Sequence, residues 1–303
     1  MVPGEVRGLP ATPGVYRFRD ATGRALYLGR AVDLRRRVSS YWGDLRDRPH
    51  LRRMVPRVMR VEAVSCDSEH EAALLERNLL DHAKPRWNRM AGTESIVYIG
   101  LHRELEIRYT PDGPGQRYGP YLGGEKVRLA VSALNRVLPL AYAGPALGGF
   151  DRDMARVRGV APDSRPAIHA TLSAVLGGDA AARALVRAEL SARRDAAAQA
   201  LAFELAARIQ AELMALDWIL ADQKVACVGA GENVTIAGWA EGLLVTFDVR
   251  EGWLRRWRQR ACERAAAAAL VEATPPRWRT FADRNAQLAA HLATCRPGGA
   301  PLR

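Results

Sequence analysis

Lysine is almost missing from this chain of 303 residues: Lys84, Lys126 and Lys224 are the only three, so nearly all of its 45 basic residues are arginine. Cysteine is scarce as well. Cys66, Cys227, Cys262 and Cys295 lie far apart, with no C-x-x-C spacing and no adjoining histidine pattern, which argues against a cysteine metal site. In a reducing compartment the same four residues read as separate thiols rather than disulfides. No apolar run approaches the ~20 residues of a membrane span. The start, Met1 to Pro10, also lacks the charged lead and apolar core of a secretion signal, so the chain is expected to be cytoplasmic, with no membrane partner.

What is present is ordinary in proportion and unusual in sign. Apolar residues make up 48% and charged residues 26%, the balance of a globular protein, and the length predicts two or three folding units. The net charge is +12 and the pI about 10.2, which points to a polyanionic partner, most often nucleic acid. Residues 1–60 hold 14 arginines against five acids, so the excess is concentrated at the start. A GC-rich genome would impose an arginine and alanine excess by itself, and charge alone therefore does not decide the partner.

Periodicity and turn residues predict an α+β protein. Gly14–Phe18 and Ala25–Gly29 read as a β-hairpin around the turn-forming Asp20 and Gly23. Asp33 caps a basic helix beginning at Leu34, Val61–Ser65 reads as a third strand, and Ser68 with Glu71 forms a capping box opening a helix through Leu80. Ile96–Leu101 and Leu105–Tyr109 are strand candidates, followed by a stiff turn at Tyr118-Gly-Pro-Tyr121. Residues 144–166 lack a sustained period and read as a linker. Helical periodicity runs from Ala167 to about Lys224, broken at Gly177 and Gly178. Val234–Val249 reads as a second hairpin, and after Pro275 and Pro276 the chain is helical up to a Pro- and Gly-rich tail beyond Arg296.

Cutting a phosphodiester needs a group to activate water, a cation on the phosphate and basic residues to hold the backbone. The first 90 residues offer all three: Tyr16 and Tyr27 on the two hairpin strands, Arg30 and Arg37 on the turn and basic helix, and Glu76 on the capped helix. Taken singly, each is ordinary, since strand tyrosines are usually core and helix arginines usually solvated. Their order is not ordinary. Leu9-Pro-Ala-Thr-Pro-Gly14-Val-Tyr16, Leu26-Tyr27-Leu-Gly29-Arg30-Ala31, Asp33-Leu-Arg-Arg-Arg37-Val-Ser-Ser-Tyr41, Ser68-Glu-His-Glu71-Ala-Ala-Leu-Leu-Glu76 and Pro85-Arg-Trp-Asn88 together resemble the GIY-YIG nucleases, and among them the UvrC family.

The resemblance implies a small α/β nuclease domain with a central antiparallel sheet over residues 1–92. It implies Tyr27 as general base, Tyr16 polarising a nearby water, Glu76 holding one divalent metal (Mg2+ or Mn2+), Arg37 stabilising charge on the phosphate, and Tyr41 and Asn88 positioning their surroundings. Arg30 stands where the family usually has lysine, and the two are not interchangeable at tuned sites. Arg35, Arg36, Arg52 and Arg53 are candidate DNA contacts.

Further along, the resemblance implies an α/β extension over 93–143 and, after the 144–166 linker, a helical region over 167–225. In that region Phe203, Glu204 and Ala207 belong to a UVR-like helical hairpin at about 199–225 that would dock a UvrB-like helicase. The last stretch, 226–303, carries a β-hairpin and a basic, aromatic tail whose Arg255, Arg256 and Arg258 are candidate DNA contacts. The family's cysteine cluster has no counterpart in 143–160, so no iron–sulfur cluster is expected, and the chain stops short of the family's RNase H-like nuclease. The implied protein is a stand-alone, Cho-like repair endonuclease that nicks one strand of damaged double-stranded DNA, 3′ to the lesion. The alternative is a catalytically weak, DNA-binding adaptor that docks the helicase.

Overall fold

A computed structural model describes residues 3–46, 49–88, 94–144, 147–227 and 231–296. The chain divides into two compact units, the first drawn from both ends (1–93 and 222–303) and the second from the middle (94–221). The tail beyond Arg296 lies outside the described residues.

The first unit begins with α1 (Glu5–Gly8), β1 (Gly14–Arg19), β2 (Ala25–Ala31), α2 (Leu34–Ser39), β3 (Arg60–Ser65) and α3 (Glu69–His82). Its strands form an antiparallel sheet in the order β2-β1-β3. The hairpin closes because Asp20 Oδ1 accepts from the backbone N–H groups of Thr22 and Arg24, each at 3.0 Å, while Gly23 takes φ +80°. Asp33 caps α2 by accepting from Arg36 N at 2.8 Å. Ser68 caps α3 through Glu71 N at 3.0 Å. The return half of that box is displaced by one residue: Glu71 accepts from Asp67 N at 2.7 Å and also from Lys224 N at 2.9 Å. Alternation along β1 and β2 puts Tyr16, Phe18 and Tyr27 in one apolar core with Leu34, Val38 and Tyr41.

The middle unit holds β4 (Ile96–Leu101), β5 (Leu105–Arg108) and β6 (Gln116–Leu122), ordered β5-β4-β6. After them come the helices α4 (Gly124–Val137), α5 (Gly149–Val157), α6 (Arg165–Gly177), α7 (Ala180–Gln199) and α8 (Phe203–Leu220). Three expectations change here. The Tyr118–Tyr121 stretch is strand rather than turn: its kink is taken up by Gly119 at φ +114° and by an irregular register opposite Val97–Ile99. Part of the 144–166 stretch is helical, as α5.

Residues 199–225 also do not make a hairpin by themselves, because nothing between Phe203 and Leu220 breaks a helix. The break falls at Leu201, φ +58°, so α8 pairs antiparallel with α7 through Arg187–Asp217 and Arg194–Gln210. Buried Glu212 ties α8 to α4, accepting from Arg136 Nε at 2.6 Å and Ser132 Oγ at 2.8 Å.

The chain then returns to the first unit with β7 (Val234–Ala240), β8 (Leu243–Arg250), β9 (Trp253–Ala261), α9 (Arg264–Glu272) and α10 (Pro276–Thr294). The expected hairpin is thus three-stranded, and the basic stretch after Arg250 is its third strand. These elements pack on the amino-terminal ones: α10 lies on β3 and β7, and β9 on α3. At Gly238 a Cβ would come within 2.2 Å of Ala282 O, so only glycine lets α10 approach β7 this closely. Under the first sheet, Glu62 is 1% exposed and receives Arg17 Nε at 2.7 Å, Arg19 Nε at 2.8 Å and Arg60 at 2.7 Å. Arg17 in turn stacks 4.1 Å from the Trp257 ring centroid and donates to Trp257 O at 3.2 Å, bolting β9 to β1.

Candidate active site

Tyr16 lies on β1 opposite Gly29 of β2, and Phe18 lies opposite Tyr27. The Tyr16 ring crosses β2 at that point, because a Cβ on Gly29 would fall 2.5 Å from its hydroxyl. The glycine of the Tyr-x-Gly motif is therefore a steric requirement of the first tyrosine. Tyr16 Oη and Tyr41 Oη are 2.6 Å apart, both residues buried, and Arg37 lies 5.7 Å from the Tyr41 ring centroid. Tyr27 is half-buried on the edge strand, its hydroxyl bonded to Tyr41.

Burial pushes the Tyr16 hydroxyl well above the ordinary tyrosine value, with Tyr27 adding to the rise and Arg37 opposing it. Tyr27 is raised too, first by burial, then by Tyr41 and by the charge of Glu76, again against Arg37. Glu76 reaches this group from α3. On the α3 side its carboxylate meets Arg30, with Nε and Oε2 3.5 Å apart.

The structure thus brings together Tyr16, Tyr27, Arg37 and Tyr41, and beside them pairs Arg30 with Glu76, whose charge is felt at Tyr27. Asn88 stands beside them with a different task. Its amide accepts from Leu28 N at 3.0 Å and donates to Leu28 O at 2.7 Å, standing in for a further strand along the open edge of β2. A cleft of about 560 Å³ adjoins the group, lined by Arg30, Arg36, Arg37 and Glu69 among others. Arg36 is exposed there, while Arg35 commits its Nε to Leu9 O at 2.7 Å. Arg52 and Arg53 are exposed on a short 3-10 turn, Pro49–Arg53, outside the group.

Arg255, Arg256 and Arg258 line a second groove, of about 310 Å³, with Arg19, Leu79 and His82 at the far end of α3, where Arg256 donates to His82. Trp257 cannot stack on a base, because it is 3% exposed beneath Arg17. In the other unit, Phe203 is 64% exposed at the start of α8, and Glu204 and Ala207 are exposed beside it.

The metal-type donor here is a single carboxylate among tyrosine hydroxyls. Among the described residues no group of three or more His, Cys, Asp or Glu is placed to hold a metal. An oxygen-only site with one carboxylate fits a hard ion such as magnesium, which keeps most of its waters, and does not fit a thiophilic one.

Two supports escaped sequence reading. Asn285 of α10 is fully buried and brackets Ser65 as Asn88 brackets Leu28, accepting from its N at 2.7 Å and contacting its O at 3.2 Å. The Glu62 cluster is the other: charged residues alternating with aromatics on β1 read as a solvent face until β9 covers it. No helix among the described residues is long and apolar enough to cross a membrane.

Residues 12–89 match the family model of the UvrC-like GIY-YIG domain. The UvrABC system protein C of Mycobacterium leprae is 33% identical over 278 residues, covering 82% of this chain and 42% of that protein. That of Trichlorobacter lovleyi is 37% identical over 145 residues, covering 45% of this chain and 24% of that protein. The chain therefore spans less than half the length of these relatives. A crystal structure of the GIY-YIG N-terminal endonuclease domain of UvrC from Thermotoga maritima, bound to its catalytic magnesium, is 30% identical, covers 28% of this chain and 96% of that one, and has a TM-score of 0.25. Residues 12–89 are thus a UvrC-like GIY-YIG domain, in a chain whose similarity to UvrC proteins extends well beyond it.

Proposed function

We propose that this chain is a DNA repair endonuclease that makes a single-strand incision in damaged duplex by metal-assisted phosphodiester hydrolysis, with Tyr27 as general base. The observation that carries this is the meeting of Tyr16, Tyr27, Tyr41 and Arg37 with the lone carboxylate Glu76 in a UvrC-like GIY-YIG domain. Glu76 would hold a magnesium or manganese ion, which supplies positive charge at the scissile phosphate.

The rest is done by the chain. Tyr27 acts as a tyrosinate, its own proton lost to solvent before it takes one from the attacking water. Burial first, then Tyr41 and the charge of Glu76, hold it protonated, and a cation on Glu76 would relieve the last of these. Arg37, held beside Tyr41 and Tyr16, meets the charge that builds on the phosphate. Asn88 fixes the backbone of Leu28, the residue next to Tyr27. Arg36 in the adjoining cleft, with Arg35, Arg52, Arg53, Arg255, Arg256 and Arg258 further out, would hold the DNA backbone. By the family resemblance the nick falls 3′ to the lesion.

A second reading, an adaptor that docks a UvrB-like helicase, is favoured by the exposed apolar start of α8, where Phe203 is 64% and Leu205 44% exposed. One experiment separates the two: magnesium-dependent nicking of a lesion-bearing duplex, with and without the helicase, by wild type, Tyr27→Phe and Glu76→Ala. The endonuclease reading expects cleavage by wild type and a loss of about 10²–10⁴-fold in Tyr27→Phe, the usual weight of a positioned base. Absence of cleavage by wild type even with the helicase leaves the adaptor.

A further inference from the structure

Arg30 follows Gly29 on β2, and its side chain leaves the opposite face from Tyr27, because successive residues of a strand alternate. That face is the one covered by α3, and there Arg30 Nε sits 3.5 Å from Glu76 Oε2, the two side chains 35% and 20% exposed. We infer that Arg30 sets the divalent-cation affinity of this site by holding Glu76 in an ion pair that a cation must displace, an inference that rests on Glu76 being the metal carboxylate.

The chemistry follows from how little else is available. Magnesium-like ions bind through one or two carboxylates and otherwise through water and substrate oxygens. Here Glu76 is one carboxylate, Glu69 lines the adjoining cleft, and among the described residues no group of three or more acids, histidines or cysteines is placed to hold a metal. The charge of Glu76 is the main attraction for a dication, and Arg30 already neutralises part of it.

Lysine and arginine differ in this position. A lysine ammonium is a strongly hydrated point charge on a flexible stem and moves readily into water. A guanidinium is weakly hydrated, planar and shaped for carboxylate, so it leaves less readily. Arg37, beside the tyrosines, adds repulsion once Arg30 has been displaced. The site so built is filled only at higher free cation concentration than the same site without the guanidinium.

The test uses the full chain without DNA and Mn2+ as the probe, with free Mn2+ read by its paramagnetic resonance signal. Arg30→Gln is expected to tighten Mn2+ binding roughly two- to fivefold, the upper part of the range for releasing one partly exposed ion pair. Arg30→Lys shifts affinity less, in the same direction. Arg36→Gln, which removes an equal charge from the adjoining cleft, changes it less than about twofold, as screening of exposed charges predicts. Unchanged affinity in Arg30→Gln overturns the inference, and so does an equal gain in Arg36→Gln, which would make the effect one of bulk charge. Glu76→Gln separates this from the underlying assignment: if it binds Mn2+ as wild type does, the metal site itself is misassigned and the role of Arg30 falls with it.

Discussion

Tyr27 is buried on one side and close to a carboxylate on another, and both hold its hydroxyl above the ordinary tyrosine value of ~10. A base so far above neutral pH is deprotonated in a small fraction of molecules, and that fraction grows with pH. Under saturating magnesium the nicking rate should therefore climb with pH across 6–8, by up to about tenfold per unit while proton removal limits the rate. A flat profile in wild type would assign water activation to some other group. The sign is opposite to that of a catalytic acid, for which activity would fall over the same interval. Gly29 belongs to the same unit of chemistry: its missing side chain is the space that the Tyr16 hydroxyl occupies.

At the scale of elements, the first sheet is three strands wide, and both of its edges are closed by asparagine amides. Asn88 serves Leu28 on β2, and Asn285 serves Ser65 on β3, each offering an acceptor and a donor where a neighbouring strand would. Removing either amide leaves buried backbone groups unpaired, at about 1–3 kcal/mol. Their consequences should diverge. Asn285→Ala lowers the melting temperature but leaves nicking per folded molecule near wild type. Asn88→Ala adds a loss of nicking, because Leu28 adjoins Tyr27. Thermal melts combined with nicking assays normalised to folded protein separate the two, and equal nicking losses would remove the distinction drawn between them.

At the scale of the whole molecule, the first unit is assembled from the two ends of the chain, and Glu62 with Arg17, Arg19 and Arg60 lies under that assembly. Burial would raise the Glu62 carboxyl, but the three guanidinium groups hold it below the ordinary glutamate value. Its contribution to stability is thus complete above the unfolded value of ~4.3 and lost as pH falls through the lower, folded value. Glu62→Ala, which leaves buried arginines without their anion, is expected to cost about 3–5 kcal/mol at pH 7. Denaturant unfolding at pH 7 and at about pH 2–3, below the unfolded carboxyl value, measures it, and a gap that does not narrow in acid would contradict the assignment. The net charge of +12 is a property at the same scale. Reversing Arg255 and Arg256 to glutamate should reduce the slope of log K for DNA against log salt by about one to two, one per lost phosphate contact. An unchanged slope removes β9 from the DNA interface.

Local chemistry was legible in the sequence by itself. The hairpin, its Asp20 turn, the Asp33 and Ser68 caps and the ordered tyrosines, arginine and glutamate depend on residues close together in the chain, and spacing reports such relations. What the tertiary structure decided involves residues far apart. Arg17 and Arg19 alternate with Tyr16 and Phe18 as a solvent-facing row would, and only the return of β9 buries Arg17 beneath Trp257. Asn285 is an unremarked polar residue in a helix until β3, 220 positions away, presents a free edge to it. The UVR-like stretch resembles a helical hairpin, yet its backbone break lies before Phe203, at Leu201, so the antiparallel partner of α8 is α7. Periodicity states which face of an element is apolar, but not which distant element will cover the other face.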